Sequence, residues 1–320
     1  MLCFDFGVFI NHTYMNKKIK FLVGLGLLVT LFFLACQKKE PKVRDTILTG
    51  SMTVSVDESV FPIIEDEQAV FQSQYNGSLK LKPSSEREIL QALTLKKASF
   101  AVLTRDLTQT ERKQLIAHKI SPKSTPFAYD ALALVSSRTS NDTIIYWKEL
   151  HDLLSKGSSN RFKGIVFDNI NSGTVRAIAE QVGVSAENPT FYSFTNHEEA
   201  LKFISTHQDY LGVFGVNWFL QPPLHWDQWM KQLQILHLEN PDTRTMSYPS
   251  QDEIASGEYP LARHLYLINA QGYAGLGKGF AAFVAGERGQ RIILKSGLVP
   301  EKFPSRQLVI RKQLLKKTEN

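Results

Sequence analysis

Residues 165–182 read IVFDNINSGTVRAIAEQV. Ile165 to Phe167 is a short apolar strand, Asp168 to Thr174 a polar turn, and Val175 to Val182 a run with helical spacing of its apolar residues. A strand that feeds a helix through a short turn is the building unit of an α/β domain. The unit recurs upstream. Met52 to Val56 reads as a strand, Val60 to Tyr75 as an amphipathic helix, and Ser78 to Lys82 as the next strand. In Ser84-Ser85-Glu86-Arg87 a hydroxyl cap precedes an apolar-periodic run through Leu93, which marks a helix start. Ala98 to Leu103 is a continuous apolar run, the pattern of a buried parallel strand, and Tyr210 to Val216 is a further strand. The alternation predicts an α/β fold with a mainly parallel sheet. No fixed-period repeat interrupts it.

The 320 residues are 43% hydrophobic and 21% charged, enough to bury a large core and, by length, to form about two domains. The formal charge is +6, and the longest basic runs, Lys38-Lys39 and Lys316-Lys317, are short. No basic cluster is interleaved with aromatics, so a nucleic-acid partner is not expected. Cys3 and Cys36 form no CxxC pair, zinc spacing or disulfide framework.

Met15-Asn16-Lys17-Lys18-Ile19-Lys20 is basic and runs into the uncharged stretch Phe21 to Ala35, which ends at Cys36. Charge followed by a short apolar run is the pattern of an export signal. Fifteen helical residues rise only about 22 Å, short of a hydrocarbon core of about 30 Å, which favours cleavage over a retained span. Residues 1–36 are therefore expected to be a signal sequence with its true start at Met15. Residues 37–45, beginning Gln37-Lys38-Lys39-Glu40-Pro41-Lys42, form a polar tether. Phe33-Leu34-Ala35-Cys36 resembles the bacterial lipobox, which implies lipidation at Cys36 and anchorage to a lipid bilayer. Each buried methylene adds about 0.8 kcal/mol, so more than one acyl chain holds stably.

Ser172-Gly173-Thr174 opens the helix of the deciding stretch. A helix N-terminus carries unpaired N–H groups and partial positive charge, so it can hold an oxyanion, with Ser172 and Thr174 adding hydroxyls and Gly173 allowing close approach. The same residues also read as an ordinary N-cap. Arg105 follows a buried strand at its C-terminal end, where open α/β sheets bind ligands, and its guanidinium could pair bidentately with a tetrahedral oxyanion. It could equally pair with Asp106 or Glu111. Arg176, in the first helical turn, faces either ligand or solvent. No G-x-S-x-G or HExxH is present, and the eight histidines lack metal-ligand spacing, so no catalytic residue, metal or cofactor is expected. Gly275-Leu276-Gly277-Lys278-Gly279 reads as a flexible turn before a helix at Phe280 to Val284. Trp147, Trp218, Trp226 and Trp229 read as core aromatics, with a rigid loop from Trp218 to Trp229.

Several segments, in order, resemble those of periplasmic phosphate-binding proteins of the PstS family. They are Val54 to Phe71 with Phe61-Pro62-Ile63, Leu103-Thr104-Arg105-Asp106-Leu107, Tyr129 to Ala133, Trp147 to Leu150, and Asn171 to Thr174. Gly257 to Arg263, Gly289-Gln290 and Gly297 to Pro300 follow. The resemblance implies a type II periplasmic-binding-protein fold, two α/β lobes joined by two crossover segments with a ligand cleft between. The crossovers would fall at Pro126 to Val135 and near Met246 to Pro249, giving one lobe from 46–127 with 246–320 and a second from 128–245. It implies ligand contacts from Ser59, Val60, Phe61, Thr104, Arg105, Ser172, Gly173, Thr174 and Arg176. It further implies a monomer on the periplasmic side of a bacterial membrane that hands phosphate or another small oxyanion to an ABC permease. Asp57, Glu58 and Asp168 depart from the family pattern, placing carboxylates where donors are expected. Another solute, a sensor role, or an envelope interaction protein with a degenerate pocket therefore stays open.

Overall fold

The computed structural model describes residues 45–185 and 191–305. The expected export segment with Cys36, residues 37–44 of the tether, and Lys316-Lys317 lie outside the described residues.

The first strands, β1 (Gly50–Asp57), β2 (Gly77–Ser84) and β3 (Phe100–Leu103), alternate with helices α1 (Phe61–Gln74), α2 (Glu86–Thr94) and α3 (Gln109–Ala117). Ser85 and Glu88 close a reciprocal capping box on α2, which is the start that the sequence marks. The long strand β4 (Lys123–Ser137) is followed by β5 (Ile144–Ile145), α4 (Trp147–Lys156), β6 (Gly164–Phe167), α5 (Gly173–Val182), β7 (Phe191–Ser193), α6 (His197–Thr206) and β8 (Tyr210–Gly215). Short elements come next: α7 (Asn217–Leu220), α8 (Asp227–Met230), β9 (Leu233–Ile235), β10 (His237–Glu239), β11 (Met246–Ser247) and α9 (Gln251–Ser256). The described chain ends with β12 (Ala262–Asn269), α10 (Leu276–Val284), α11 (Glu287–Lys295) and β13 (Val299–Pro300).

The main sheet runs β2-β1-β3-β12-β4-β8-β6-β7, with β9 and β13 also paired to β4. Its flanks are parallel: β1 pairs with β2 and β3, and β6 with β7 and β8. Its centre is antiparallel, because β12 pairs with both β3 and β4, and β4 with β8. The mainly parallel sheet expected from the alternation is thus a mixed one, since local patterning carries no information on the direction in which β4 and β12 traverse the centre. β4 joins the flanks: its first half pairs with β12 and its second with β8.

β4 is buried almost without interruption from Phe127 onward, and its side chains share one apolar core with β1, β6, β8 and β12. A smaller core lies between α2, α3 and β3, around Ile89, Leu93, Leu103 and Leu115. The tryptophans expected in the core are packed there. Trp226 is buried, with its ring 5.0 Å from those of Trp218 and Trp229. Among the described residues no helix is long and apolar enough to cross a membrane.

One reading is corrected. The glycine run is not a turn ahead of Phe280; α10 begins at Leu276 and contains Gly277 and Gly279. The Asp45 carboxylate accepts from the Leu276 N–H at 2.6 Å and so caps the helix from a distant part of the chain. A Cβ on Gly279 would overlap the Ile47 carbonyl, so the glycine is there for close packing rather than for a turn.

Candidate functional site

Open α/β sheets present their C-terminal strand ends, and the turns that follow them, to ligands. Here the turns after β1, β3 and β6 meet, joined by the starts of α2 and α6 and by the centre of the β4–β12 pair.

The turn after β6 opens α5 with Ser172 as N-cap residue. Its hydroxyl does not cap. It donates instead to Asp168 Oδ1 at 3.0 Å, and the first turn of α5 receives no side-chain acceptor. Thr174 Oγ1 and Thr104 Oγ1 are both buried without a hydrogen-bond partner. Gly173 explains its own identity. A Cβ there would lie 2.5 Å from Thr104 Oγ1, 2.8 Å from Asp57 Oδ2 and 3.0 Å from Glu86 Oε2. Three other segments therefore press polar oxygens onto the uncapped helix end.

Beneath them, Arg263 on β12 stands directly across from Asp130 on β4. Its Nε donates to Asp130 Oδ1 at 3.0 Å and its Nη2 to Oδ2 at 2.5 Å, a bidentate pair, while Nη2 also reaches Ser59 Oγ at 3.2 Å. Nη1 of Arg263 is buried and unpartnered. Asp57 Oδ1 accepts from both Ser59 N–H and Ser59 Oγ, which leaves Oδ2 unpartnered.

Burial raises four carboxyls here, Asp57, Glu58, Asp130 and Asp168, because the charged form loses hydration. It lifts Asp57 and Asp130, with the Arg263 guanidinium pulling each back. Burial pushes Asp168 up to about 6 against its hydrogen bonds from the Asn169 backbone and Ser172. Glu58 is pushed up to about 7 by burial and then by the neighbouring charges of Asp168 and Asp57. His197 at the start of α6 is driven down to about 3, mainly by burial and further by Arg263, with Asp57 opposing, so it is neutral at physiological pH. Its Nε2 lies 3.0 Å from Asp168 Oδ2, yet neither atom makes a hydrogen bond.

The residues singled out from sequence have separate fates. Thr104, Ser172, Gly173 and Thr174 come together at the helix end. Ser59 is buried with its hydroxyl held between Asp57 and Arg263. Val60 is fully buried in the apolar core, so only its backbone can face a ligand, and Phe61 begins α1 packed against that core. The N-terminus of α1 already has an acceptor, since Asn217 Oδ1 takes the Ile63 N–H at 2.9 Å. Arg105 commits all five of its N–H donors: to Glu86 Oε1, to both oxygens of Glu111 and to the Asp106 carbonyl. Arg176 places Nε on both oxygens of Glu86 and Nη1 on Glu180, and its Nη2 is buried and unpartnered. A cavity of about 280 Å³ adjoins the cluster, lined by Thr104, Arg176 and Arg263 among others.

Sequence reasoning passed over Asp130, Arg263, Glu86 and His197 as site residues. Two had a signal. Arg263 shares the inward face of β12 with Leu265 and Leu267, and Asp130 interrupts the buried run of β4, so each is a charge on a core-facing register. Glu86 and His197 had none, being ordinary first-turn residues of their helices.

Residues 40–288 match the PBP superfamily domain. The chain belongs to that superfamily. No curated protein sequence matches it. Among solved structures, this PBP-superfamily chain is similar to a protein from Clostridium perfringens described as a phosphate ABC transporter substrate-binding protein with bound phosphate. The TM-score is 0.66 at 18% identity, over 79% of this chain and 100% of that one. An ABC-type phosphate transport receptor from Vibrio cholerae gives 0.58 at 20% identity, over 78% and 99%. The OxyR2 regulatory domain of Vibrio vulnificus gives 0.50 at 11% identity, over 73% and 95%. The fold is the type II periplasmic-binding-protein fold that these solved structures share.

Proposed function

We propose that this PBP-superfamily protein captures phosphate or a related tetrahedral oxyanion at the N-terminus of α5 and delivers it to an ABC-type importer. It would work at the periplasmic face of a bacterial membrane, held there by lipid on Cys36. The supporting observation is the uncapped first turn of α5 with the hydroxyls of Thr104 and Thr174 buried and unpartnered beside it. Helix N–H groups, two hydroxyls and the free Nη2 of Arg176 supply donors of the kind a tetrahedral oxyanion needs.

The carboxyls limit which oxyanion fits. An ionised carboxylate beside a full oxyanion charge is unfavourable by about 4 kcal/mol at 4 Å for an effective dielectric of 20. In its ionised form, which the Arg263 guanidinium favours against burial, Asp57 Oδ2 next to Gly173 can only accept, which suits an oxyanion that still carries a proton and disfavours one that does not. Phosphate meets that condition near neutral pH and sulfate does not.

Isothermal titration of the metal-free protein with phosphate tests the reading. The wild type is expected to bind, Thr174→Val and Thr104→Val to bind about tenfold or more weakly through loss of a hydrogen bond to a charged group, and sulfate to give no heat. Absence of heat at millimolar phosphate with folded protein overturns the proposal. It would favour a second reading, a protein of this fold with a closed-off pocket. That reading draws on Glu86, which takes up Arg105 and Arg176 donors and crowds Gly173.

A further inference from the structure

Glu58, Asp168 and His197 come from three separate places: the turn after β1, the turn after β6 and the first residue of α6. Each offers one ligand atom, and these atoms all lie within 4.8 Å of one another. Two of the three residues are almost wholly inaccessible, Asp168 at 0% and His197 at 4% exposure. Buried polar atoms ordinarily have hydrogen-bond partners, yet Glu58 Oε2, Asp168 Oδ2 and His197 Nε2 have none. The 3.0 Å between His197 Nε2 and Asp168 Oδ2 would serve a hydrogen bond, but the atoms are not aligned for one. Two buried ligating atoms 3.0 Å apart that share no hydrogen bond are spaced as ligands of a third body.

We propose that Glu58, Asp168 and His197 form a binding site for a divalent transition-metal cation, with Zn²⁺ the best match. One imidazole nitrogen and two carboxylate oxygens are a zinc donor set, and three protein ligands leave a fourth position open. With metal–ligand bonds of about 2.0–2.2 Å, donors on one ion stand roughly 3.0–3.5 Å apart. His197 and Asp168 already do. Both remaining pairs involve Glu58, the least buried of the three, whose ligand atom stands within 4.8 Å of the other two, so a small side-chain adjustment would complete the set. Mg²⁺ and Ca²⁺ prefer oxygen-only shells, so the imidazole disfavours them.

The surroundings hold these ligands in place. Ser172 Oγ donates to Asp168 Oδ1, leaving Oδ2 for the ion. The His197 ring packs 4.8 Å from Trp218 and 6.2 Å from Phe214. Trp218 also fixes the Glu58 backbone, donating Nε1–H to its carbonyl at 3.0 Å. Outer contacts of this kind orient metal ligands and tune affinity.

This site does not depend on the oxyanion reading, and its test uses the metal alone. The full chain, stripped with EDTA and kept in phosphate-free buffer, is titrated with Zn²⁺ by calorimetry, and its metal content is measured after dialysis. One equivalent of Zn²⁺ per chain is expected. Glu58→Gln and His197→Gln should each weaken binding about tenfold or more, and Mg²⁺ should not bind. If His197→Gln fails to fold, Glu58→Gln, at the least buried of the three positions, decides the matter. No stoichiometric uptake by folded wild-type protein overturns the proposal, as does uptake unchanged in the variants that fold. Phosphate titration of the same metal-free protein reads the other proposal separately.

Discussion

Gly173 is where the first residue-scale prediction falls. Alanine there gains helix propensity of at most about 1 kcal/mol. Against that, its methyl group meets Thr104 Oγ1, Asp57 Oδ2 and Glu86 Oε2 at 2.5–3.0 Å, and all three belong to buried side chains that must shift together to admit it. Overpacking of this kind costs about 1–3 kcal/mol, so Gly173→Ala should lower the melting temperature and abolish phosphate binding together. Thermal denaturation and calorimetry on the same sample check it. Glu67 makes the second. It is fully buried on α1 with both oxygens unpartnered, and burial, aided by the charge of Asp66, pushes it up to about 9. The folded value lies above the unfolded one, so the folded state holds the proton longer. Stability from this group is fully present below about pH 4.5 and is lost as pH rises towards about 9, with roughly 3 kcal/mol gone by pH 7. Glu67→Gln should flatten the decline of melting temperature over that window; an unchanged slope would mean that other groups set it.

At the scale of elements, α10 shows why local patterning reached some helices and not others. The start of α2 was legible because its capping box, Ser85 with Glu88, lies within four residues of sequence. The start of α10 was not, because its acceptor is Asp45, which also receives Gln271 Nε2 at 3.2 Å and the Tyr273 hydroxyl. Glycine in mid-helix ordinarily costs about 1 kcal/mol relative to alanine, so Gly279→Ala would be stabilising on propensity alone. The Ile47 carbonyl occupies the place its Cβ would take, and backbone cannot swing aside as a side-chain tip can. Gly279→Ala is therefore expected to lower the melting temperature. Asp45→Ala should cost about 1 kcal/mol through loss of the cap, measured by urea denaturation.

At the scale of the whole molecule, the strands β1, β2, β3, β6 and β8, the α5 helix start and the α/β class were readable because their signals are periodic and local. What escaped were pairings across long sequence distances. The Asp130–Arg263 pair spans the antiparallel centre, and Glu86 reaches Arg105 on one side and Arg176 on the other. The last of these bears on closure. If residues 46–127 with 246–320 and residues 128–245 are lobes that hinge, Glu86 on α2 and Arg176 on α5 form a bridge between them. Further links are Trp218 Nε1 to the Glu58 carbonyl and Gln221 Nε2 to Asp66 at 2.6 Å. Partly exposed ion pairs contribute about 0–1 kcal/mol each, so such a bridge biases closure without locking it. Glu86→Gln removes its charge while keeping the shape of the side chain, and frees the donors that Glu86 now takes from Arg176. Small-angle scattering of the ligand-free variant should give a larger radius of gyration than wild type. Phosphate should bring the radius back, because the oxyanion then takes the place of the lost carboxylate between Arg176 and the opposite lobe. A radius equal to that of the wild type, with or without phosphate, would mean that apolar contacts hold the halves together and that Glu86 acts only to position Arg105.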